Sequence, residues 1–502
     1  MFLLSITKSM CLHGLEGILI DVEVDISNGI PSWEIVGLPD ASIKESKERV
    51  KTALRNCGIE VASRKYVVNL SPANVRKDGA ILDLAIAVGI LKSMGVVEND
   101  ACFNTIFIGE LSLNGDINRV NGILSICIEA ISKKISRIIL PKANIKEAKL
   151  VKGIEVIGVN SLNEVINYLN GNLIIESKTD VDREKEVEKI NLDFSDVKGQ
   201  KIAKRALEIS AAGNHNCILI GSPGSGKTMM AKRLPTILPK LSFEEALEIT
   251  KIYSVAGKLK SDSIISQRPF RSPHYSITDK TLIGGGKIPV PGEVSLAHLG
   301  VLFLDELLEF KQSTLENLRI PMEDREISIS RVGINVKYPC NFMLIASANP
   351  CPCGYYGSKI KKCICTENQR RKYMSKLSGP LIDRFDIYLH VYPVDYKYVG
   401  QKEEDSDTIR LRVDNARKIQ LNRYKLDKIY SNSELTPKLI EKYCRLDYKS
   451  KELIEKAFKT LNLSMRGYTR VLKVARTIAD LENRHNIESQ DILEALQYRR
   501  LE

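Results

Sequence analysis

The sequence predicts an α/β protein in which two α/β units precede a helical segment, and three observations support this fold class. Strand-length apolar runs alternate with helical segments throughout residues 1–172. At 217–228 the sequence CILIGSPGSGKT indicates a buried strand, a glycine-rich turn and the start of a helix. Beyond residue 408, helical patterns continue without strands. We expect domains at 1–172, 194–400 (with a parallel sheet) and 401–502 (a helical lid), and a linker at 173–193.

The composition is that of a globular protein, with 43% hydrophobic and 27% charged residues among 502. The net charge of +12 permits an anionic partner such as nucleic acid, although solvated lysines give the same excess. No apolar run approaches the roughly 18 residues that span a bilayer, and residues 1–15 lack the apolar core of a cleaved signal. We expect a cytoplasmic protein without membrane contact, whose 11 cysteines are mostly reduced.

Residues 1–172 show both secondary-structure patterns in turn. ILIDVEVDI at 18–26 alternates as a half-exposed strand does, and residues 42–57 form an amphipathic helix that ends near Gly58. The other predicted strands are 65–70, 105–111, 137–140 and 155–159, and the other predicted helices are 82–94 and 123–134. This order indicates an α/β unit with mixed strand directions.

Four segments of this unit resemble the proteolytic domain of Lon-type proteases. They are KDG at 77–79, GELSL at 109–113, NGI at 121–123 and ILPKAN at 139–144. In that family a nucleophilic serine follows the first motif and a lysine follows the NGI motif. The corresponding positions here hold Ile81 and Ser125, so the Ser-Lys dyad for covalent catalysis is absent. The resemblance implies a related fold without peptidase activity, serving as a scaffold or a DNA-contacting accessory.

Residues 176–189 are nearly all charged and contain neither glycine nor proline. They predict a solvated linker or an exposed helical connector. FSDVKGQ at 194–200 then opens the second unit, and a helix is expected at 202–212.

The strongest motif is the phosphate-binding pattern G-x-x-x-x-G-K-T that follows the strand at 217–220. Its glycines let backbone N–H groups turn toward an anionic oxygen, and the next helix adds the positive end of its dipole. Lys227 can reach the β- and γ-phosphates of ATP, and Thr228 can hold Mg²⁺. The predicted nucleotide-binding residues are Gly221, Ser222, Pro223, Gly224, Ser225, Gly226, Lys227, Thr228 and Met229.

GVLFLDE at 300–306 is an apolar strand that ends in two carboxylates. After a phosphate loop, this order places Asp305 near Mg²⁺ and Glu306 beside the water that attacks the γ-phosphate. The buried strand at 342–348 ends at Asn349, whose amide can orient the same water. These three residues and Lys227 are candidate catalytic residues.

Two stretches flank the strand at 300–306. Residues 268–298 are rich in glycine and proline and predict a long loop, either functional or a passive surface excursion. After Glu306 a helix is expected through residue 322. A hairpin follows at 326–338, with Arg331 near its tip and Lys337 on its return strand. One interpretation is that this hairpin grips a phosphate backbone in a central pore, and the other is that it is a solvated edge hairpin. Both interpretations stay open.

Four cysteines follow Asn349 closely, and they are Cys351, Cys353, Cys363 and Cys365. Their number and their soft thiolates suit one tetrahedral Zn²⁺. The C-x-C spacing is tighter than the usual C-x-x-C, so reduced thiols without a metal are an equally open alternative.

Two arginines further along are candidate phosphate contacts. Arg384 lies in LIDRFD, and its guanidinium suits the charge on a phosphoryl group transferred in a neighbouring subunit, with a salt bridge to Asp383 or Asp386 as the alternative. Arg466 and Arg470 begin a helix that is well placed to close over phosphates. A strand is predicted at 387–394, and helices at 408–426, 437–444, 449–461, 468–482 and 489–498.

The order of these motifs resembles the AAA+ ATPases and, within them, the magnesium-chelatase-like family of the YifB and ComM type over nearly the whole chain. GVLFLDE, NPCPCG, LSGPLIDRFD and SMRGYTRVLKVARTIADLE carry this resemblance. The roles it implies are Walker A for residues 221–228, Walker B for Asp305 and Glu306, sensor 1 for Asn349, trans arginine finger for Arg384 and sensor 2 for Arg466.

The resemblance also implies a hexameric ring, because an arginine finger completes each site only across a subunit interface. Our first hypothesis is an ATP hydrolase that translocates on or remodels single-stranded or branched DNA, as a helicase or branch-migration motor of DNA uptake or recombination does. The alternatives are the ATPase subunit of a metal chelatase and an ATPase that remodels proteins.

Overall fold

The computed structural model describes residues 4–175, 192–259, 263–286, 288–331, 334–358, 361–394, 400–461 and 463–499. The predicted charged segment at 176–189 and the predicted hairpin turn at 332–333 lie outside these residues. The described residues form a mixed α/β unit, a parallel α/β unit and a helical C-terminal part, which confirms the predicted fold class. The predicted domain limits stay predictions.

The strands of the first unit follow the alternation of apolar side chains. In the segment 16–27, Ile20, Val22 and Val24 are fully buried, whereas the residues between them are partly exposed. The strands of this unit are β1 (Ser5–His13), β2 (Glu16–Ser27), β3 (Ser32–Val36), β4 (Lys65–Ser71), β5 (Thr105–Phe107), β6 (Glu110–Leu111), β7 (Ile117–Asn118), β8 (Arg137–Pro141) and β9 (Glu155–Val159).

Seven of these strands form one sheet in the order β3-β4-β2-β1-β5-β8-β9. The β1–β2 and β2–β4 pairs are antiparallel, whereas β3–β4, β1–β5, β5–β8 and β8–β9 are parallel. The sheet therefore has the mixed strand directions that the sequence predicts.

Helices cover this sheet, and one of them is apolar on all sides. Its residues 84–91 are all buried, and a Cβ atom at Gly89 would lie 2.8 Å from Val24, so glycine permits the close approach to the sheet. The helices of this unit are α1 (Ala41–Asn56), α2 (Asp83–Ser93), α3 (Ile123–Ser132), α4 (Ile145–Ala148) and α5 (Leu162–Leu169).

The central strands of the second unit are short and apolar and are buried on both faces. Every residue of the segment 343–348 is buried, as expected for a central strand of a parallel sheet with helices on both sides. The strands are β10 (Cys217–Gly221), β11 (Phe270–Arg271), β12 (Gly284–Gly285), β13 (Val290–Pro291), β14 (Val301–Leu304), β15 (Glu326–Arg331), β16 (Ile334–Pro339), β17 (Met343–Ala348) and β18 (Ile387–Val391).

Five of these strands form a parallel sheet in the order β11-β14-β17-β10-β18. Their carboxyl ends share one side of the sheet, which we call the carboxyl edge, and their first residues share the opposite amino edge. Gly221 ends β10, Asp305 follows β14 and Asn349 follows β17. Three predicted motifs therefore meet at the carboxyl edge.

Helices surround this sheet and also form the C-terminal part. The long helix Met465–Leu481 of that part packs on the helix Lys201–Gly213 of the second unit. The helices of the second unit are α6 (Lys201–Gly213), α7 (Lys227–Arg233), α8 (Phe243–Val255), α9 (Asp279–Ile283), α10 (Glu293–Leu296), α11 (Gln312–Glu316), α12 (Arg319–Asp324), α13 (Glu367–Met374) and α14 (Gly379–Ile382). The C-terminal helices are α15 (Ser406–Arg423), α16 (Pro437–Tyr443), α17 (Tyr448–Thr460), α18 (Met465–Leu481) and α19 (Ser489–Gln497).

Three local predictions need correction. The helix expected after Glu306 is broken into a 3₁₀ turn, α11 and α12, because Phe310 and Lys311 have extended backbones. The loop expected at 268–298 contains β11, α9, β12, β13 and α10, and Phe270 of β11 stacks on Phe303 with ring centroids 5.9 Å apart. The strand expected at 105–111 ends at Phe107 and resumes as β6 in a separate ladder with β7.

The first and second units contact each other through a buried carboxylate. Glu147 accepts a hydrogen bond from the backbone N–H of Leu124 at 3.0 Å within the first unit. The same carboxylate oxygen accepts a hydrogen bond from the hydroxyl of Ser254 on α8 of the second unit. A second contact joins the ring of His13 to the carbonyl oxygen of Asn335 on β16, at 3.1 Å.

Among the described residues, no helix combines the length and the apolarity needed to cross a membrane.

Candidate nucleotide-binding site

The phosphate loop joins β10 to α7 at the carboxyl edge. A Cβ atom at Gly221 would lie 2.2 Å from the carbonyl oxygen of Val391, so only glycine fits there. Gly224 and Gly226 have φ angles of 76° and 90°, which other residues rarely adopt. The loop then enters α7, whose first N–H groups lack helical acceptors. These features make the loop suited to an anion.

Lys227 is the first residue of α7, and its ammonium group lies under the loop. Its Nζ donates to the carbonyl oxygens of Gly221 at 2.7 Å and Ser222 at 3.0 Å, and it lies 3.4 Å from Oδ1 of Asn349. Burial lowers the pKa of Lys227 below its ordinary value, although nearby carboxylates partly offset this effect. The lysine is therefore held by neutral oxygens that a phosphate can replace.

Two hydroxyl groups hold the carboxylate of Asp305. Thr228 donates from Oγ1 to Oδ2 of Asp305 at 2.8 Å, and Ser347 donates to Oδ1. Thr228 and Asp305 are the two residues predicted to hold Mg²⁺, and the structure brings them into direct contact. Hydroxyl and carboxylate oxygens are ligands that Mg²⁺ prefers, so the donor set fits this ion.

Glu306 has a left-handed backbone with φ of 53°. Its N–H is shared between Oγ of Ser347 at 3.1 Å and Oδ1 of Asp305 at 3.2 Å. A non-glycine residue in this conformation costs about 1 kcal/mol, which these hydrogen bonds help to offset. The carboxylate of Glu306 is exposed at the carboxyl edge, where a water molecule can reach it.

Arg384 and Arg466 lie at the other side of the sheet. Asn216, directly before β10, donates from its side chain to the carbonyl oxygen of Arg384 at 3.0 Å, so Arg384 is at the amino edge. The length of β10, five residues or about 16 Å, separates this edge from the phosphate loop. Arg466 lies 4.0 Å from Asp383, the neighbour of Arg384. The structure does not bring either arginine to the phosphate loop of its own chain.

The guanidinium of Arg384 is buried, with the residue 6% exposed. It donates to the carbonyl oxygens of Pro380 at 2.6 Å and Arg319 at 3.3 Å, and it forms an ion pair with Glu323. Glu323 itself is 54% exposed and was not predicted from sequence. No sequence pattern points to Glu323, because 61 positions separate it from Arg384.

The two carboxylates expected beside Arg384 pair with other arginines. Asp386 pairs with Arg470, and Asp383 is the partner of Arg466. Burial alone raises the pKa of Asp386, but Arg470 and His215 outweigh it and hold that pKa well below its usual range. A cavity of about 120 Å³ at this edge is lined by Glu323, Asp383, Arg384, Arg466, Thr469, Arg470 and Lys473. The cavity wall is therefore rich in cations.

The four predicted cysteines come together beside the phosphate loop. Their Sγ atoms all lie within 4.8 Å of one another. A Cβ atom at Gly354 would lie 2.7 Å from Cδ of Pro223, so the turn after the first two cysteines packs on the phosphate loop.

Two further side chains at the carboxyl edge were missed from sequence. Ser347 interrupts the apolar strand β17 beside Asp305, and such a lone polar residue near a strand end is a usable signal. Gln200 donates from Nε2 to the carbonyl oxygens of Tyr392 at 2.6 Å and Ser225 at 3.3 Å. Gln200 has a left-handed backbone, which its position in the segment VKGQ does not reveal.

In the first unit, Ile81 and Ser125 occupy the positions that correspond to the Ser-Lys dyad of Lon-type proteases, and both are at least partly buried. Ser125 on α3 is 1% exposed, and Ile81 packs partly buried against an apolar cluster. The hydroxyl of Ser125 therefore faces the interior of the unit rather than a substrate cleft.

Three family models match the chain in succession. The model described as subunit ChlI of Mg-chelatase matches residues 22–144. The model described as magnesium chelatase, subunit ChlI, matches residues 193–399, which contain the whole carboxyl-edge site. The model described as the C-terminal part of magnesium chelatase subunit ChlI matches residues 403–499.

Known proteins align with the chain over nearly its full length. Competence protein ComM of Haemophilus influenzae is 39% identical, across 99% of this chain and 97% of its own length. YifB of Escherichia coli is 40% identical, also across 99% of this chain and 97% of its own length. A magnesium-chelatase 67 kDa subunit of Chlorobaculum parvum is 26% identical over 31% of this chain and 23% of its own length.

Proposed function

This chain belongs to the magnesium-chelatase-like family of AAA+ proteins, and we propose that it is an ATP hydrolase that acts on DNA as a ring. The observation that carries the hydrolase assignment is the meeting of Lys227, Thr228, Asp305 and Asn349 at one edge of the sheet. Lys227 and Thr228 begin α7, Asp305 follows β14 and Asn349 follows β17, and their chemistry matches the parts that phosphoryl transfer needs.

In this proposal the loop N–H groups and Lys227 bind the β- and γ-phosphates. Thr228 and Asp305 would hold Mg²⁺, which would neutralise charge that develops on the phosphate oxygens. Glu306 accepts a proton from the attacking water, and Asn349 orients that water by a hydrogen bond. The nucleotide phosphates would replace the carbonyl oxygens that now accept hydrogen bonds from Lys227.

The separation of Arg384 and Arg466 from the phosphate loop supports the ring. Both arginines lie at the amino edge, which the length of β10, about 16 Å, separates from the loop, and there they would serve a nucleotide bound by a neighbouring chain. Closed rings form when one surface of a subunit meets a different surface of the next. The site would then be complete only in the assembly, which we propose to be a hexamer.

Charge on the β15–β16 hairpin supports DNA as the partner. The inner face of the hairpin is buried through Ile327, Ile329 and Val336, whereas Arg331 and Lys337 are exposed. Glu326 pairs with Lys337 at 2.5 Å, so Arg331 is the stronger candidate contact. Together with the net charge of +12, the exposed cations provide for binding to phosphates.

The test of DNA action is ATP turnover by the purified chain with and without single-stranded and forked DNA. We expect DNA to stimulate turnover, with the largest effect on the fork. The double variant Arg331→Ala/Lys337→Ala should bind DNA with a salt slope lower by up to about 2, because up to two phosphate contacts are lost. Lys44→Ala/Lys47→Ala removes the same charge from α1 and should leave the slope unchanged. Turnover that ignores DNA would refute this part of the proposal.

A metal-chelatase ATPase subunit is the second candidate function. The descriptions of the three family models favour it. This candidate predicts ATP turnover that is indifferent to DNA and responds to a protein partner of a porphyrin-metalating complex. The same turnover assay therefore separates the two functions.

A further inference from the structure

We propose that Cys351, Cys353, Cys363 and Cys365 bind one structural Zn²⁺, and that this ion fastens the chain segment after Asn349 onto the phosphate loop. The first part concerns the metal alone. The second part rests on the proposed nucleotide-binding function. Each part has its own measurement.

The distances between the sulfur atoms fit a tetrahedral zinc thiolate site. Sγ of Cys351 lies 3.4 Å from that of Cys353 and 3.7 Å from that of Cys363, and the latter two are 3.6 Å apart. Zinc with Zn–S bonds of about 2.3 Å places its sulfur ligands about 3.8 Å apart. A disulfide instead brings two sulfurs to about 2 Å and leaves no reason for all four to converge.

The chemistry of the cluster is that of a closed, structural site. All four donors are thiols, which as thiolates are soft ligands that favour zinc over Mg²⁺ or Ca²⁺. Four protein ligands fill a tetrahedral shell and leave no position for a substrate, as in structural zinc sites. Cys351 is buried and the other three cysteines are partly exposed. A metal ion bound by all four would be partly enclosed and could still enter the site from solvent.

A backbone N–H group supports negative charge on one of the sulfur atoms. The backbone N–H of Cys365 donates to Sγ of Cys363 at 3.4 Å. Such N–H contacts orient the ligands of a metal site and stabilise their charge. Lys361, whose Nζ lies 5.1 Å from the centre of the Tyr355 ring, adds a cation to the same loop.

The position of the cluster connects the metal to the nucleotide site. Cys351 is two residues beyond Asn349, whose amide lies 3.4 Å from Nζ of Lys227. Gly354, with φ of 83°, packs against the Pro223 ring of the phosphate loop. The chain between these two contacts contains only short turns, so zinc that ties both C-x-C pairs together fixes Asn349 and supports the loop from outside.

The first experiment is metal analysis of the full chain purified anaerobically with a reductant. We expect about one zinc per chain, and replacement by Co²⁺ should give the intense visible absorption of a tetrahedral cobalt thiolate. Zinc that stays absent after addition of one equivalent, or iron in its place, would overturn the proposal. These measurements use the wild-type chain and so do not depend on a variant that folds.

Variants locate the metal. Cys353→Ser and the double variant Cys363→Ser/Cys365→Ser should lose most of the zinc, whereas Cys57→Ser, a partly buried cysteine of the first unit, should retain it. Full zinc content in both ligand variants contradicts the assignment. Circular dichroism on each variant distinguishes loss of the ligand from loss of the fold.

The link to the nucleotide site is tested by Mg-ATP binding to Cys353→Ser and to Cys57→Ser. We expect the affinity of the zinc-free variant to fall about 10-fold, the size of effect seen when supporting contacts of a site are removed. Equal affinities in a zinc-free and a zinc-loaded chain would refute the bracing role. If the wild-type chain binds zinc but no ATP, the proposed nucleotide function fails while the metal assignment stands.

Discussion

Lys77 of the first unit and Lys227 of the second are both buried lysines whose ammonium groups donate to backbone carbonyl oxygens. Lys77 is fully buried and donates to Gly37 and Leu70 at 2.9 Å each and to Pro72. One acceptor follows β3 and the other two lie at the end of β4, so the three N–H groups of the ammonium are satisfied and tie the ends of these two strands together. Lys77 therefore has no hydrogen available for a ligand.

The acceptors of Lys227 are arranged differently. Both carbonyl oxygens belong to its own loop, at Gly221 and Ser222, and the third neighbour is the side chain of Asn349. Nearby Glu306 is exposed, and Gly224 has open space where a side chain would stand. The comparison teaches that burial and hydrogen bonding alone do not mark a functional lysine. What distinguishes Lys227 is that its partners are replaceable and that carboxylates for a metal lie within the same edge.

Arg384→Ala tests whether the nucleotide site of the second unit needs a neighbouring chain. We expect ATP turnover to fall about 10³-fold, because an arginine at the transferred phosphoryl group stabilises the charge of the transition state. The measurement is steady-state phosphate release by assembled protein.

Mixing gives the control for that variant. Arg384→Ala protein mixed with Glu306→Gln protein should regain part of the activity, because some interfaces then pair an intact arginine with an intact glutamate. Assembled mixtures without any recovery would contradict action between chains and would favour a local role in the pair with Glu323.

Glu306→Gln sharpens the comparison at the carboxyl edge itself. The amide cannot accept the proton of the attacking water, so turnover should fall about 10²- to 10³-fold while Mg-ATP binding is retained. Single-turnover hydrolysis and equilibrium binding measure the two effects separately. Glu244→Gln, an exposed glutamate on α8, is the matched control, and near-normal turnover by Glu306→Gln would remove this residue from the mechanism.

Lys77→Met tests whether Lys77 of the first unit stabilises the fold and takes no part in nucleotide binding. The variant removes the ammonium group that donates to three carbonyl oxygens, of which only that of Leu70 belongs to a buried residue, and this should lower the free energy of unfolding by about 2 kcal/mol. Affinity for Mg-ATP should stay within about twofold, because Lys77 lies in the first unit. Denaturant unfolding and nucleotide titration check both expectations, with the exposed Lys44→Met as control. A large loss of ATP affinity in folded Lys77→Met protein would break the distinction between the two lysines.

Much of the fold was accessible from sequence because its signals are local. The alternation in β2 and the continuous apolar runs of β10 and β17 gave their strands within a residue or two. The strand β1 was missed, although Thr7 and Ser9 are buried in it, because polar residues at its inward positions hide the alternation. Those hydroxyl groups donate to carbonyl oxygens of other elements, which no local pattern reveals.

The candidate site divides in the same way. Thr228 and Asp305 were predicted to hold the same ion, and the structure places them in contact, because the strand-loop-helix pattern fixes which end of a parallel strand carries the loop. Arg384 lies at the amino edge because it comes just before the parallel strand β18, whereas the place of Arg466 depends on how α18 packs against the sheet. The Glu323 partner of Arg384 depends on the break between α11 and α12. Both are long-range outcomes of packing, so one-dimensional patterns do not determine them.

Equilibrium binding of Mg-ATP to the wild-type chain and to Lys227→Ala decides whether the carboxyl edge is a nucleotide site. We expect clear saturable binding by the wild type that weakens at least about 10-fold in Lys227→Ala, because the variant loses a charged contact to the phosphates worth roughly 1.5–3 kcal/mol. The variant should keep its unfolding transition, since Lys227 donates only to its own loop and to Asn349. Equal affinities in the two proteins, or no binding by the wild type, would contradict the assignment of this edge to ATP.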